Sequence, residues 1–149
     1  MTAIENRKRF RLLVIEDDPS RLDRFYSWVP SDTHIVWARS AGVALGVIRR
    51  DSGYVYGGVL LDHDLNEQAK TVEDLGLSGT QVTEALIQNF SFEIPVLVHS
   101  ANAIKAPIMV RRLEEAGFWV TRIPMQKLTP QDFDEWITEA KEIWKDKWN

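Results

Sequence analysis

The sequence predicts one α/β domain in which helices cover both faces of a five-stranded parallel sheet. Short apolar runs alternate with segments of helical periodicity, and five such rounds follow one another along the 149 residues. The strand segments are apolar almost throughout, which is typical of parallel strands buried on both faces. Because strand and helix alternate, the pattern indicates a doubly wound sheet. The length fits a single domain over residues 1–149.

The first two rounds have clear boundaries. Residues 11–15, Arg-Leu-Leu-Val-Ile, are a short apolar run that predicts a buried strand. Pro19 suits the first turn of a helix, and apolar residues recur at helical spacing until Pro30 ends the run. Residues 34–38 predict the second strand, and Ser40 is a suitable N-cap for the helix that follows.

Three further strands and three further helices complete the pattern. The predicted strands are residues 54–61, 94–98 and a run beginning at 118, and the predicted helices are residues 79–89, 106–116 and the segment from 129 onward. Gly117 is a good C-terminal cap for the second of these helices. Residues 65–78 are polar and without clear period, and a loop of this length is typical of a lid or binding loop.

The composition favours a folded protein and excludes several classes. A hydrophobic fraction of 44%, with six Trp and six Phe, indicates a real core, and the net charge of −4 gives no reason to expect bulk duplex DNA binding. Without cysteine there is no disulfide framework and no thiolate zinc site. The sequence shows neither a secretion signal nor 18 consecutive apolar residues, so we expect a cytoplasmic protein without a membrane span and with a flexible N-terminus over residues 1–8.

Polar residues follow four of the five predicted strands. In open parallel sheets, ligands bind outside the carboxyl ends of the strands, so these residues are expected to gather at one edge. They are Glu16, Asp17 and Asp18 after the first strand, Asp62, His63 and Asp64 after the third, His99, Ser100 and Asn102 after the fourth, and Thr121 and Arg122 after the fifth. Some of these residues have local interpretations, such as helix capping by Asp18 or Ser100. Their shared location predicts a common site.

The residue types at this edge favour phosphorus chemistry. Two or three carboxylates favour a hard cation such as Mg²⁺, with water completing its coordination. The cation, the Ser100 hydroxyl, backbone N–H groups and Arg122 would neutralise phosphoryl oxygens. His63 and His99 would supply a general base and a general acid across the phosphorus atom.

Three segments resemble response-regulator receiver domains over roughly residues 9–125. They are LLVIEDD, GVLLD and PVLVHSA, which resemble the ends of the receiver's first, third and fourth strands. The resemblance implies a flavodoxin-like sheet of order 2-1-3-4-5, with Asp17 and Asp18 as metal-side acids, Asp62 at the phospho-acceptor position and Ser100 as the switch hydroxyl. Arg122 stands where receivers carry a lysine, and its planar guanidinium does not reproduce a point-like ammonium.

The two histidines resemble a narrower group, the cyclic-phosphate-processing receiver-like family. Residues 62–65 match its D-H-D-L motif and residues 99–102 its H-S-x-N motif, while Met109 and Gly117-Phe118 match its downstream Met and G-F pair. This resemblance implies that two histidines hydrolyse or open a cyclic phosphate on a nucleotide or RNA end. Lys105 departs from the glycine expected there, and we expect it to alter the turn into the fourth helix.

Three hypotheses about function are open at this point. The first is a phosphoesterase acting on a cyclic phosphodiester of a small phosphorylated ligand or RNA end. In it the catalytic residues are His63, His99, Asp62 and Asp64, the phosphate ligands are Ser100, Asn102 and Arg122, and the ligands of an optional Mg²⁺ are Asp17, Asp18 and Asp62. The second is a signalling module that accepts a phosphoryl group at Asp62 and acts on a protein partner. The third is a binding protein without chemistry, for which the amphipathic last helix is the surface to examine.

Overall fold

Five parallel strands form one sheet in the computed structural model, which describes residues 9–66 and 76–148. The strands are β1 (Arg11–Ile15), β2 (His34–Ala38), β3 (Gly58–Leu61), β4 (Val96–Val98) and β5 (Val120–Arg122). They lie in the order β2-β1-β3-β4-β5, and every neighbouring pair is parallel. The predicted doubly wound sheet and its strand order are confirmed.

Five helices in the described part of the chain pack on this sheet. They are α1 (Pro19–Trp28), α2 (Ala41–Arg50), α3 (Gly79–Asn89), α4 (Lys105–Glu115) and α5 (Pro130–Trp148). The predicted caps are confirmed, since Asp18 Oδ1 accepts the Ser20 N–H at 2.8 Å and Ser40 Oγ accepts the Val43 N–H at 3.2 Å. Gly117 follows α4 with a φ of 97°, a conformation that favours glycine.

Alternate residues of the strands face two separate cores. Leu12, Val14, Leu60 and Leu97 pack with the buried side chains of α1 and α5. The intervening strand residues pack with those of α2, α3 and α4. Because successive side chains of a strand point to opposite faces, this alternation also indicates which side a residue just beyond a strand end faces.

β1 and β2 have the predicted bounds, whereas β3, β4 and β5 are shorter than predicted, because only part of each predicted segment pairs residue for residue with a neighbouring strand. β3 begins at Gly58, which lies opposite Leu12, so residues 54–56 extend beyond the start of β1 at Arg11. Those residues still contribute to the core, since Tyr56 is fully buried. β5 begins at Val120 opposite Val96, the first residue of β4, and Trp119 just before it contributes only its carbonyl, which accepts the Val96 N–H at 3.0 Å.

Two predictions fall wholly or partly outside the described residues. The flexible N-terminus over residues 1–8 is one, and most of the loop 65–78 is the other, since residues 67–75 are not described. Among the helices of the described ranges, none is long and apolar enough to cross a lipid bilayer.

Candidate functional site

An open cavity of about 410 Å³ lies beside the carboxyl ends of β1, β3 and β4. Four carboxylates and two guanidinium groups face it, so its charge is predominantly negative. The lining residues are Asp17, Asp18, Ser20, Arg21, Arg24, Asp62, Asp64, His99, Ala101, Met125 and Gln126. The structure therefore brings five of the predicted site residues to one cavity: the four acids and His99.

An ion pair between the buried Glu16 and the partly exposed Arg21 lies beside this cavity. Glu16 is completely buried and accepts hydrogen bonds from the Arg21 guanidinium at 2.8 and 2.9 Å. Burial alone would raise the pKa of Glu16, but hydrogen bonds from His99 and Arg21 outweigh it and lower the pKa from 4.5 to about 2. Glu16 is therefore an ionised carboxylate at neutral pH.

Arg21 is the cation around which the acids gather. Its guanidinium nitrogens lie 3.3 Å from Asp17 Oδ1, 3.4 Å from Asp18 Oδ2 and 3.6 Å from Asp62 Oδ2. Its hydrogen bond to Glu16 raises the pKa of Arg21 above its ordinary value, and the neighbouring acids add to that effect. Arg21 was not predicted as a site residue, although a helix beginning at Pro19 places it one turn beyond the acids.

His99 is held against the same buried carboxylate. Its Nε2–H donates to Glu16 Oε1 at 2.9 Å, because an ionised carboxylate can only accept. Its ring packs edge-on against Phe25 of α1, with the ring centroids 5.1 Å apart. Nδ1 is buried and has no hydrogen-bond partner among the described residues. These contacts fix the ring on the α1 side of the sheet, which is the side that Leu97 faces.

Asp62 lines the cavity, and its two carboxylate oxygens have different partners. Its Oδ1 accepts the His63 N–H at 2.8 Å, and its other oxygen faces Arg21. Burial raises the pKa of Asp62, and the nearby charge of Glu16 raises it further, against the opposing effect of His99.

The described residues include one group that could hold a metal ion. One ligand atom each from Glu16, Asp62 and His99 lie within 4.8 Å of one another. The predicted ligand set was Asp17, Asp18 and Asp62. Those three acids all line the cavity, where Asp18 also caps α1 and Asp17 lies beside Arg21, so that set stays a prediction.

His63 belongs to a different cluster, on the α3 side of the edge. Its Nδ1 lies 2.9 Å from Asp64 Oδ1, and its Nε2 lies 3.3 Å from the hydroxyl of Thr80 in α3. Asn102 Nδ2 donates to the same Asp64 oxygen at 3.4 Å. The backbone is joined as well, since the Gly79 N–H donates to the His63 carbonyl at 2.8 Å.

The two histidines thus contact different parts of the protein. His99 contacts Glu16 and Phe25, whereas His63 contacts Asp64 and Thr80, and the two rings share none of these partners. α1 packs on one face of the sheet and α3 on the other. Asp64, which lines the cavity, is the residue through which His63 is connected to it.

The three predicted phosphate ligands occupy different environments. Ser100 is fully buried, and its hydroxyl accepts the Asn102 N–H at 3.1 Å. Asn102 Oδ1 in turn accepts the N–H groups of Ile104 and Lys105 at 3.2 and 2.8 Å, so its side chain supports the turn into α4. Arg122 is exposed at the end of β5 and does not line the cavity.

Solved structures of several receiver domains are similar to this chain. A CheY-like response regulator receiver domain protein from Methanospirillum hungatei has 18% sequence identity and a TM-score of 0.66, covering 93% of this chain and 98% of that one. A signal receiver domain of an HD domain-containing protein from Pseudomonas fluorescens has 13% identity and a TM-score of 0.68, with the same coverage of 93% and 98%. The receiver domain of a sensor histidine kinase from Pseudomonas aeruginosa, solved with a magnesium ion coordinated in its active site cleft, has 15% identity and a TM-score of 0.65, covering 89% and 98%.

These identities are low, so the three structures bear on the fold alone. Among the curated proteins, none matches the sequence. The family described as "Cyclic-phosphate processing Receiver domain" matches residues 11–115, which is more than two thirds of the chain and includes β1 to β4 and both histidine motifs. By that match, the chain belongs to the cyclic-phosphate-processing receiver domain family.

Proposed function

We propose that this protein hydrolyses a cyclic phosphodiester, on a nucleotide or an RNA end, at the carboxyl edge of its sheet. The observation that carries the proposal is the hydrogen bond between His63 and Asp64, because Asp64 lines a cavity that also holds two guanidinium groups. An imidazole whose orientation is set by a carboxylate is a common general base. The family to which the chain belongs is named for cyclic-phosphate processing, which agrees with this chemistry.

The contact with Asp64 determines which imidazole nitrogen is available. Because a carboxylate only accepts hydrogen bonds, Nδ1 of His63 carries the proton that it shares with Asp64. The lone pair of Nε2 is then directed away from Asp64 and can accept a proton from an attacking group. Replacement of that carboxylate by an amide would favour the other tautomer and remove the base.

Phosphate binding in this cavity has to overcome its negative charge. Arg21 and Arg24 supply guanidinium groups, the side chains best suited to bind phosphoryl oxygens. The cluster of Glu16, Asp62 and His99 fits a divalent cation, since carboxylate oxygens suit Mg²⁺ and a set with one imidazole also suits Mn²⁺. When bound there, such an ion would neutralise charge on a phosphoryl group.

The two histidines have unequal roles in this proposal. His63 transfers the proton, since it is joined to the rim through Asp64. His99 is buried at the cavity wall, where its ring contacts Glu16 and Phe25, so its role is to hold Glu16 and to complete the cation cluster.

The test is turnover of 2′,3′-cyclic AMP and of an oligonucleotide with a 2′,3′-cyclic phosphate end. We expect hydrolysis by the wild type, and a kcat that is about 10²- to 10⁴-fold lower in His63→Gln, because a positioned general base contributes about that factor. His34→Gln is the matched control, since His34 is an exposed histidine at the start of β2. Absence of turnover in the wild type, or equal turnover in His63→Gln, would refute the proposal.

A second candidate function is phosphoryl acceptance at Asp62. It is favoured by the position of Asp62, which lines the cavity beside Arg21 and stands where the resemblance to receivers puts the acceptor. Incubation with acetyl phosphate and Mg²⁺ would then raise the intact mass by one phosphoryl group, and Asp62→Asn would abolish the increase. An unchanged wild-type mass counts against this function.

A further inference from the structure

Three side chains, of which Asp64 lines the cavity, form a continuous relay that the proposed function uses only in part. Thr80 Oγ1 lies 3.3 Å from Nε2 of His63, and Nδ1 of His63 lies 2.9 Å from Asp64 Oδ1. A hydroxyl, an imidazole and a carboxylate in this order are the arrangement of an activated nucleophile, its base and the acid that orients the base. We propose that Thr80 is the nucleophile of this protein and attacks phosphorus directly.

The direction of the hydrogen bonds supports this assignment. With the Nδ1 proton of His63 shared with Asp64, Nε2 can only accept, so the Thr80 hydroxyl is the donor in the third contact. Asn102 donates to the same oxygen of Asp64 and helps to hold that carboxylate in place. The hydroxyl proton of Thr80 is therefore already directed at the group that would remove it.

The proposed nucleophile Thr80 and its base His63 differ in solvent exposure, as expected for a hydroxyl that meets substrate and an imidazole that activates it. Thr80 is exposed, so its oxygen is accessible to a substrate. The His63 side chain is 11% exposed, and that of Asp64, which lines the cavity, is 69% exposed. The relay thus runs from a sheltered imidazole to a surface hydroxyl.

The start of α3 is built so that Thr80 stays beside His63. Gly79 lies against the strand end, and a Cβ added to it would be 2.6 Å from both the Asp62 carbonyl oxygen and Cα of His63. Ser78 and Gln81 close a capping box around this turn, in which Ser78 Oγ accepts the Thr80 N–H at 3.2 Å. The close packing and the caps fix the backbone on which the hydroxyl is carried.

The inference rests on the proposed function for its substrate, a cyclic phosphodiester. In the first step the Thr80 oxygen bonds to phosphorus and one ring P–O ester bond breaks. The Thr80 proton passes to Nε2 of His63 and from there to the departing alkoxide oxygen. In the second step water attacks phosphorus and gives a proton to Nε2, the bond between Thr80 and phosphorus breaks, and Thr80 regains its proton. One water is consumed for each ester hydrolysed.

Two measurements on the full chain test this inference separately from the substrate. Diisopropyl fluorophosphate transfers its phosphoryl group to activated hydroxyls with loss of fluoride, and peptide mass spectrometry locates the label. Turnover of 2′,3′-cyclic AMP is measured in parallel. The variants are Thr80→Val, which removes the hydroxyl and keeps the shape, and Thr80→Ser, which keeps the hydroxyl. Thr138→Val is the control, an exposed threonine on α5.

We expect the label on residue 80 in the wild type, in Thr80→Ser and in Thr138→Val, and no label in Thr80→Val. The kcat of Thr80→Val should fall by about 10³-fold or more, and that of Thr80→Ser by less than about tenfold. Label on Thr80 without turnover of the cyclic nucleotide supports the assignment of Thr80 as the nucleophile and contradicts the proposed substrate. Turnover that persists in Thr80→Val, or a wild type that takes no label, refutes the assignment of Thr80 as the nucleophile. Neither result contradicts the proposed function.

Discussion

Replacing Glu16 with glutamine removes the charge at the centre of the site while keeping the size of the side chain. Glu16 is fully buried and accepts hydrogen bonds from His99 and from two nitrogens of Arg21. In Glu16→Gln the Arg21 guanidinium would remain beside Asp17 and Asp62, but Arg21 and His99 would lose the carboxylate that they both contact. Removal of one partner from a buried ion pair costs about 3–5 kcal/mol in known cases.

The pKa of Glu16 gives a second, independent value for the free energy that its ionised carboxylate contributes to stability. It falls from 4.5 to about 2 on folding, and a difference of one pH unit corresponds to about 1.4 kcal/mol, so the ionised carboxylate stabilises the fold by about 3 kcal/mol. Because the pKa of the folded state is the lower one, this stabilisation is complete above pH 4.5 and is lost as the pH falls toward 2. The wild type should therefore lose its advantage over Glu16→Gln in that range.

The chain offers a matched control for the assay, an exposed pair with the same geometry. Arg112 donates to both oxygens of Glu84 at 2.8 Å, and the two side chains are 45% and 41% exposed. Urea unfolding at pH 7 should show a loss of about 3 kcal/mol for Glu16→Gln but at most about 1 kcal/mol for Glu84→Gln. Similar losses in both variants would refute the reasoning, as would a gap between wild type and Glu16→Gln that stays constant from pH 7 to pH 3.

Three further predictions concern the strand end and the cation cluster. Asp62→Asn should raise the thermal unfolding midpoint at pH 7, because burial raises the pKa of Asp62 and makes its ionised form unfavourable in the fold. The gain in the midpoint should vanish below pH 3.8, where the carboxyl is protonated in both states. A lower midpoint of the variant at pH 7 would contradict this prediction. Gly79→Ala should lower the free energy of unfolding by about 1–3 kcal/mol, because its Cβ would meet backbone atoms 2.6 Å away. The control Gly46→Ala lies in α2 with nothing within 4 Å of the added Cβ, and it should raise the free energy of unfolding by up to about 1 kcal/mol. Equal effects of the two variants in urea unfolding would contradict the prediction. Mn²⁺ at millimolar concentration should raise the midpoint of the wild type but not of His99→Gln, and no response of the wild type would exclude the cation cluster.

Most of the fold could be predicted because its signals are local. Apolar runs mark the strands, and Asp18, Ser40 and Gly117 mark helix ends by side-chain or backbone chemistry that does not depend on distant residues. Strand lengths could not be predicted in the same way. They depend on the register between neighbours, which makes β3 begin at Gly58 and β5 begin at Val120 although apolar residues precede both.

The site was harder to predict, because it depends on the direction of each side chain. Alternation carried beyond the strands places His99 on the side of Leu97 and His63 on the side of Leu61, so the sequence contained a signal that the two rings diverge. The position of Arg21 beside the acids could have been predicted from the helical spacing after Pro19. The exposed position of Arg122 could not be inferred from its place in the chain, since β5 is only three residues long and lies at the sheet edge.

The kcat of Asp64→Asn for 2′,3′-cyclic AMP tests the central claim most directly, that an imidazole oriented by a carboxylate transfers the proton at this edge. Asp64 is mostly exposed and its side-chain hydrogen bonds are to His63 and Asn102, so the variant should keep the thermal midpoint of the wild type. We predict a kcat lower by about 100-fold or more, because the amide favours the tautomer in which Nε2 carries the proton. A kcat equal to that of the wild type would contradict the account.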